Sequence, residues 1–136
     1  TYDWGESFTA LNLVLKPVLD ELFMASLAQA ARRFQDPLLA QILASLDEDC
    51  RWQRQWSQAL VRTAVEQRAE NAGVLGEWLA KWRPLALRAA LPFAPLLAEQ
   101  QPGAAEDALA RVEKVLRDHW NLAKLDTRLW ETSNAK

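Results

Sequence analysis

Side chains able to perform acid–base or metal chemistry are few in this sequence of 136 residues. His119 is the only histidine and Cys50 the only cysteine, so the chain can supply neither an ordinary zinc site nor an internal disulfide. There is no glycine-rich phosphate loop, no serine elbow and no Cys–His pair at a known spacing. His119 precedes Trp120 in an amphipathic segment, which favours a histidine at the boundary of the core over a catalytic base.

Two carboxylates, Glu6 and Asp49, lie on the inward faces of predicted helices and form the candidate acid pair. A buried carboxylate needs a cationic partner or a metal ion. We favour the structural interpretation, because the sequence offers no pair of nitrogen ligands to accompany them. Glu6 then completes a helix cap, and Asp49 pairs with a nearby arginine or with another helix. A metal site at these two acids is the alternative.

Cys50 is predicted to be a buried structural thiol rather than a nucleophile. We identify no cluster of positive charge and no helix N-terminus beside it that would lower its pKa.

The elements that must position these side chains are helices. Only four glycines, with abundant Ala, Leu, Gln, Glu and Arg, are typical of an all-α chain. A capping box at residues 3–6 starts a first helix, which we expect to kink at Pro17 and to end near Arg33. Asp36 and Pro37 start a second long helix that continues to about residue 68.

Two shorter helices are predicted to follow. Asn71 caps a third helix that Pro84 breaks or kinks, and the prolines at 92 and 95 end whatever follows. A turn at residues 101–103 precedes a fourth helix with an apolar face that includes Trp120, and residues 132–136 are expected to fray. Long paired helices with short links predict one antiparallel bundle over residues 1–136.

Seven tryptophans are many for a chain of this length. Trp52 and Trp56 form one pair at a spacing of four residues, and Trp78 and Trp82 form another. Core packing explains either pair, and a surface that faces a partner protein is the alternative. The interface candidates are Trp78, Trp82 and Trp56.

Charge and hydropathy exclude several classes of protein. Sixteen basic residues against eighteen acidic ones give no electrostatic footprint for nucleic acid. No apolar run approaches the roughly 18 residues of a membrane span, and no signal-peptide pattern opens the chain. We therefore expect a cytoplasmic protein. Because the chain begins at Thr1 in a segment that already reads as structure, we expect a piece truncated at its N-terminus.

Three stretches of the sequence resemble the β subunit of bacterial multicomponent phenol and toluene monooxygenases. They are YDWGESFTALNLVLKPVLDEL at residues 2–22, WSQALVR at residues 56–62 and ENAGVLGEWLAKWRP at residues 70–84. The resemblance implies a ferritin-like bundle. It also implies a hydroxylase of α, β and γ subunits, usually two copies of each, with a di-iron centre in α. A reductase would supply electrons from NAD(P)H, and a small effector protein would regulate the complex.

The resemblance also implies that the metal site of this chain is vestigial. Glu6 matches the glutamate-only ligand position, and Asp49-Cys-Arg-Trp52 matches a Glu-x-x-His motif. Trp52 cannot bind iron, because its indole N–H is a donor without a lone pair, and its ring is expected to fill the space that the metal leaves. We therefore expect no catalytic residue, no metal and no cofactor in this chain.

The function that follows is a non-catalytic structural subunit that scaffolds the α subunit, with γ and a second β as further partners. Two alternatives stay open. One is the β subunit of an alkene or alkane monooxygenase. The other is a helical adaptor, unrelated to oxygenases, whose tryptophan patches bind a peptide or helix.

Overall fold

The computed structural model describes residues 3–93, 104–123 and 125. These residues form a bundle of helices, numbered here α1 (residues 4–33), α2 (Pro37–Gln67), α3 (Asn71–Ala90) and α4 (Ala104–Leu122). A single 3₁₀ turn, Leu91–Phe93, follows α3. No β-strand occurs within the described ranges, so the predicted all-α class is confirmed. In the same ranges, no helix is both long enough and apolar enough to cross a membrane.

Helix α1 begins where the sequence predicts. It contains two π-helical stretches among its α-helical turns. The Asp3 carboxylate accepts the backbone N–H of Glu6 at 3.0 Å, which caps the first turn. Two stretches, Thr9–Leu15 and Asp20–Ala25, are π-helical, and Pro17 lies between them. The break that Pro17 causes therefore takes the form of a change in hydrogen-bond register within a helix that continues to Arg33.

Helix α2 is 31 residues long, which corresponds to about 46 Å. The Asp36 carboxylate accepts the N–H of Leu39 at 2.9 Å, and Pro37 occupies the first helical position, as predicted. Asn71 does not cap α3. Its side-chain amide donates to the carbonyl of Ala64 at 2.8 Å, so it closes the end of α2 instead.

Pro84 lies inside α3 and does not end it, so of the two predicted effects, a break or a kink, the break is wrong. The residue four positions earlier, Ala80, is exposed, so water can satisfy the carbonyl that Pro84 leaves without a donor. The predictions at Pro95, at residues 101–103 and at residues 132–136 fall outside the described residues.

Helix α1 is the centre of the bundle and contacts α2, α3 and α4. The apolar stripe of α1 packs against residues of all three helices, and α1 is therefore buried on more than one side. The core includes Leu13, Val14, Val18, Leu22, Val61, Leu79, Ala86, Val112, Leu116 and Trp120. The ferritin-like arrangement of these helices stays a prediction.

Candidate functional site

An ion cluster centred on Asp20 joins α1 to α2. Asp20 is 5% exposed and begins the second π-helical stretch. Its carboxylate accepts hydrogen bonds from Lys16 Nζ, at 2.9 and 3.2 Å, and from Arg54 Nη1 at 3.0 Å. Asp47 lies at the edge of the cluster, 3.9 Å from Arg54 Nη2. The oxygens that a metal ion would need are therefore occupied by an ammonium and a guanidinium group.

Cys50 lies beside this cluster, 3.4 Å from Lys16 Nζ. Burial raises the pKa of the Cys50 thiol, and Asp20 raises it further against the opposing effect of Lys16. Burial lowers the pKa of Lys16, but its hydrogen bond and attraction to Asp20 outweigh burial and raise it overall. A single cation, Lys16, lies beside Cys50 and not a cluster of positive charge, and burial is the largest effect that raises the pKa of this thiol, which is half-buried and not fully buried as predicted.

His119 of α4 is buried, at 2% exposure, and does not lie at the boundary of the core as predicted. Its Nε2 lies 3.3 Å from the carbonyl of Asn12, and its Nδ1 lies 2.8 Å from the amide of Gln58. Because a carbonyl can only accept, Nε2 carries the proton and Nδ1 accepts from Gln58. Burial lowers the pKa of His119 to about 4, helped by the charge of Arg54 and opposed by Asn12 and Asp20. The ring is therefore neutral at pH 7.

Pro17 explains why α4 presents polar groups to α1. Proline has no N–H, so residue 17 cannot donate to Leu13, four positions earlier, or to Asn12, five positions earlier. These two carbonyls are the ones that α4 reaches. The Trp120 indole N–H donates to the carbonyl of Leu13 at 2.8 Å, and His119 donates to that of Asn12. Two side chains of α4 thus donate to the two carbonyls that an N–H at residue 17 would reach.

Glu6 ties α1 to α3. Its carboxylate is 5% exposed and accepts hydrogen bonds from Lys81 Nζ at 2.5 Å and from the Trp82 indole N–H at 2.9 Å. The Lys81 ammonium also lies 5.2 Å from the Trp82 ring centroid. The sequence predicted that the Glu6 side chain closes the helix cap; in the structure its carboxylate instead binds two side chains of α3.

The structure does not bring Glu6, Asp49 and Trp52 together as a vestigial metal site. Cys50, next to Asp49, contacts Lys16, which is ten residues from Glu6, or about 15 Å along α1. Asp49 is exposed on α2, so its placement on an inward face is corrected. Trp52 is 68% exposed, so its ring does not fill interior space. Within the part of the chain that the structure describes, no group of three His, Cys, Asp or Glu side chains could hold a metal ion.

The two tryptophan pairs differ in their environment. Trp78 and Trp82 are partly buried against the core, and their role as interface residues stays a prediction. Trp52 and Trp56 are 68% and 53% exposed. Trp56 makes an edge contact with Phe8, at 6.0 Å between ring centroids. Its role as an interface residue stays a prediction.

Sequence reasoning missed Asp20, the residue around which the interior ion cluster is built. The spacing of four residues between Lys16 and Asp20 could have revealed it, because a charged pair within an apolar helical stripe is typical of a buried ion pair. Arg54 could not have been assigned to it in this way, since it lies 34 residues away in the sequence.

The described geometry is that of a helical bundle whose interior polar groups connect helices. The sequence comparisons name the family. The model of the Methane/Phenol/Alkene Hydroxylase family matches residues 1–68, and the chain belongs to this family. Over 96 residues, 71% of this chain, it is 42% identical to the β subunit of the toluene-4-monooxygenase hydroxylase component of Ectopseudomonas mendocina. That match spans 29% of the relative's length. No solved structure matches the chain.

Proposed function

We propose that this chain is a structural, non-catalytic β subunit of an aromatic-ring monooxygenase hydroxylase. The observation that carries the proposal is the Asp20 cluster. Where a di-iron bundle presents carboxylate and imidazole ligands, this interior pairs its carboxylate with Lys16 and Arg54. The described residues do not fit a di-iron centre, and the neutral, hydrogen-bonded His119 supports the same conclusion. The iron and the reacting substrate then belong to an α subunit, which receives electrons from NAD(P)H through a reductase.

The scaffolding role needs an exposed surface that a catalytic subunit can cover. A shallow apolar groove runs between α1 and α3, with Leu11, Leu15, Leu85 and Ala89 among its lining residues. Leu11 is 54% exposed and Leu85 is 41% exposed. Burying such side chains against a partner helix removes apolar surface from water, which favours association. The groove is therefore our candidate contact with the α subunit.

The aromatic substrate class rests on the 42% identical toluene-4-monooxygenase relative. The family description also includes methane and alkene hydroxylases, so an alkene or alkane hydroxylase is the second candidate. Either assignment leaves the role of this chain unchanged.

Co-expression with the α and γ subunits of a toluene-type hydroxylase tests the proposal. We expect a stoichiometric complex in which all iron remains with α, and in which toluene is hydroxylated once reductase and NADH are added. Leu11→Asp should weaken the complex at least tenfold, since it places a charge in an apolar contact. Thr63→Asp, on the exposed surface of α2, is the control. Two irons bound per copy of this chain alone, or no complex with α, would contradict the proposal.

A further inference from the structure

We draw no further inference here: the strongest candidate, the apolar cavity between α1, α2 and α3 that Phe8, Leu60 and Trp78 help to line, carries no proposal, because nothing in the structure shows what covers it.

Discussion

At the residue scale, the missing N–H of Pro17 shapes the interior of the bundle. Two carbonyls of α1, at Asn12 and Leu13, accept hydrogen bonds from side chains of α4. A buried carbonyl without a donor is costly, so the N–H groups of His119 and Trp120 stabilise the fold in addition to the packing of their rings.

Trp120→Phe removes the indole N–H and keeps an aromatic ring. We expect it to lower the free energy of unfolding by about 1–3 kcal/mol, because the Leu13 carbonyl loses its donor. In a Pro17→Ala background the backbone N–H is restored, so the same substitution should cost less. Urea denaturation of the four proteins of this double-mutant cycle measures the difference, with Trp4→Phe, at an exposed site, as control. Equal costs in the two backgrounds would refute the link between Pro17 and Trp120.

His119 makes the stability of the protein depend on pH. Its pKa is about 4 in the folded protein and about 6.5 when unfolded. Between these values the unfolded chain binds more protons than the folded one, so stability decreases as the pH is lowered from 6.5 towards 4. The loss attributable to His119 is about 3 kcal/mol at the lower end.

His119→Gln removes this titration. The difference in unfolding free energy between wild type and variant, measured at several pH values, should shrink as the pH falls through that window. Carboxylates titrate in both proteins, so their contributions cancel in the difference between the two unfolding free energies. Parallel curves would show that His119 does not change protonation on unfolding.

At the scale of elements, α1 is connected to α2 and α3 by two separate carboxylates. Asp20 binds cations from α1 and α2, and Glu6 binds Lys81 and Trp82 of α3. Each carboxylate is buried and is also hydrogen-bonded to side chains of a neighbouring helix. Each pairing therefore fixes the rotation of one helix against another.

Asp20→Asn should lower the free energy of unfolding by about 3 kcal/mol, because Lys16 and Arg54 would then lose the carboxylate that accepts hydrogen bonds from both. This figure is at the low end for a buried pair, since the Lys16 side chain is 31% exposed. Asp47→Asn, at the edge of the same cluster, is the control and should cost about 1 kcal/mol or less. Thermal and urea unfolding measure both variants. Equal effects would contradict the central position of Asp20.

Combined Trp78→Ala and Trp82→Ala substitutions should destabilise the fold, because both rings pack against the core and Trp82 donates to Glu6. The rings are partly exposed, so we expect about 2 kcal/mol for each. Combined Trp52→Ala and Trp56→Ala substitutions are the matched control, with the same residue type and spacing. At concentrations where both variants are monomeric, only the first should lose several degrees of melting temperature. If instead only the Trp52 and Trp56 variant lost melting temperature, Trp78 and Trp82 would be the favoured interface pair.

At the scale of the whole molecule, the bundle is held by apolar packing around α1 and by polar pairs between helices, with no ligand set for a metal in the described residues. The purified chain should therefore contain no stoichiometric iron by elemental analysis. Trp52→His should not change this result, because it places an imidazole beside Asp49 on the exposed side of α2. Two irons per chain with an oxo-bridge absorption band would contradict the proposed role.

Residue types and spacing alone were sufficient to predict the helices and most of their ends. Asp3, Asp36 and Pro37 act within one helical turn, so their effects follow from neighbouring residues in the chain. The apolar stripe of α1 follows from spacing as well, since it has the period of a helix. Composition also limited the chemistry, because a single histidine cannot form a di-iron ligand set.

Contacts between distant residues became evident only in the folded bundle. Arg54 reaches Asp20 across 34 residues, and Trp120 reaches Leu13 across 107. The periodicity of a helix specifies its faces but not which neighbour covers each face, so Asp49 and Trp52 were placed inward when they lie outward. Asn71 and Pro84 were also misjudged, since a cap and a proline break depend on whether nearby carbonyls find a side chain or water. These outcomes depend on packing between distant segments, which local propensities do not contain.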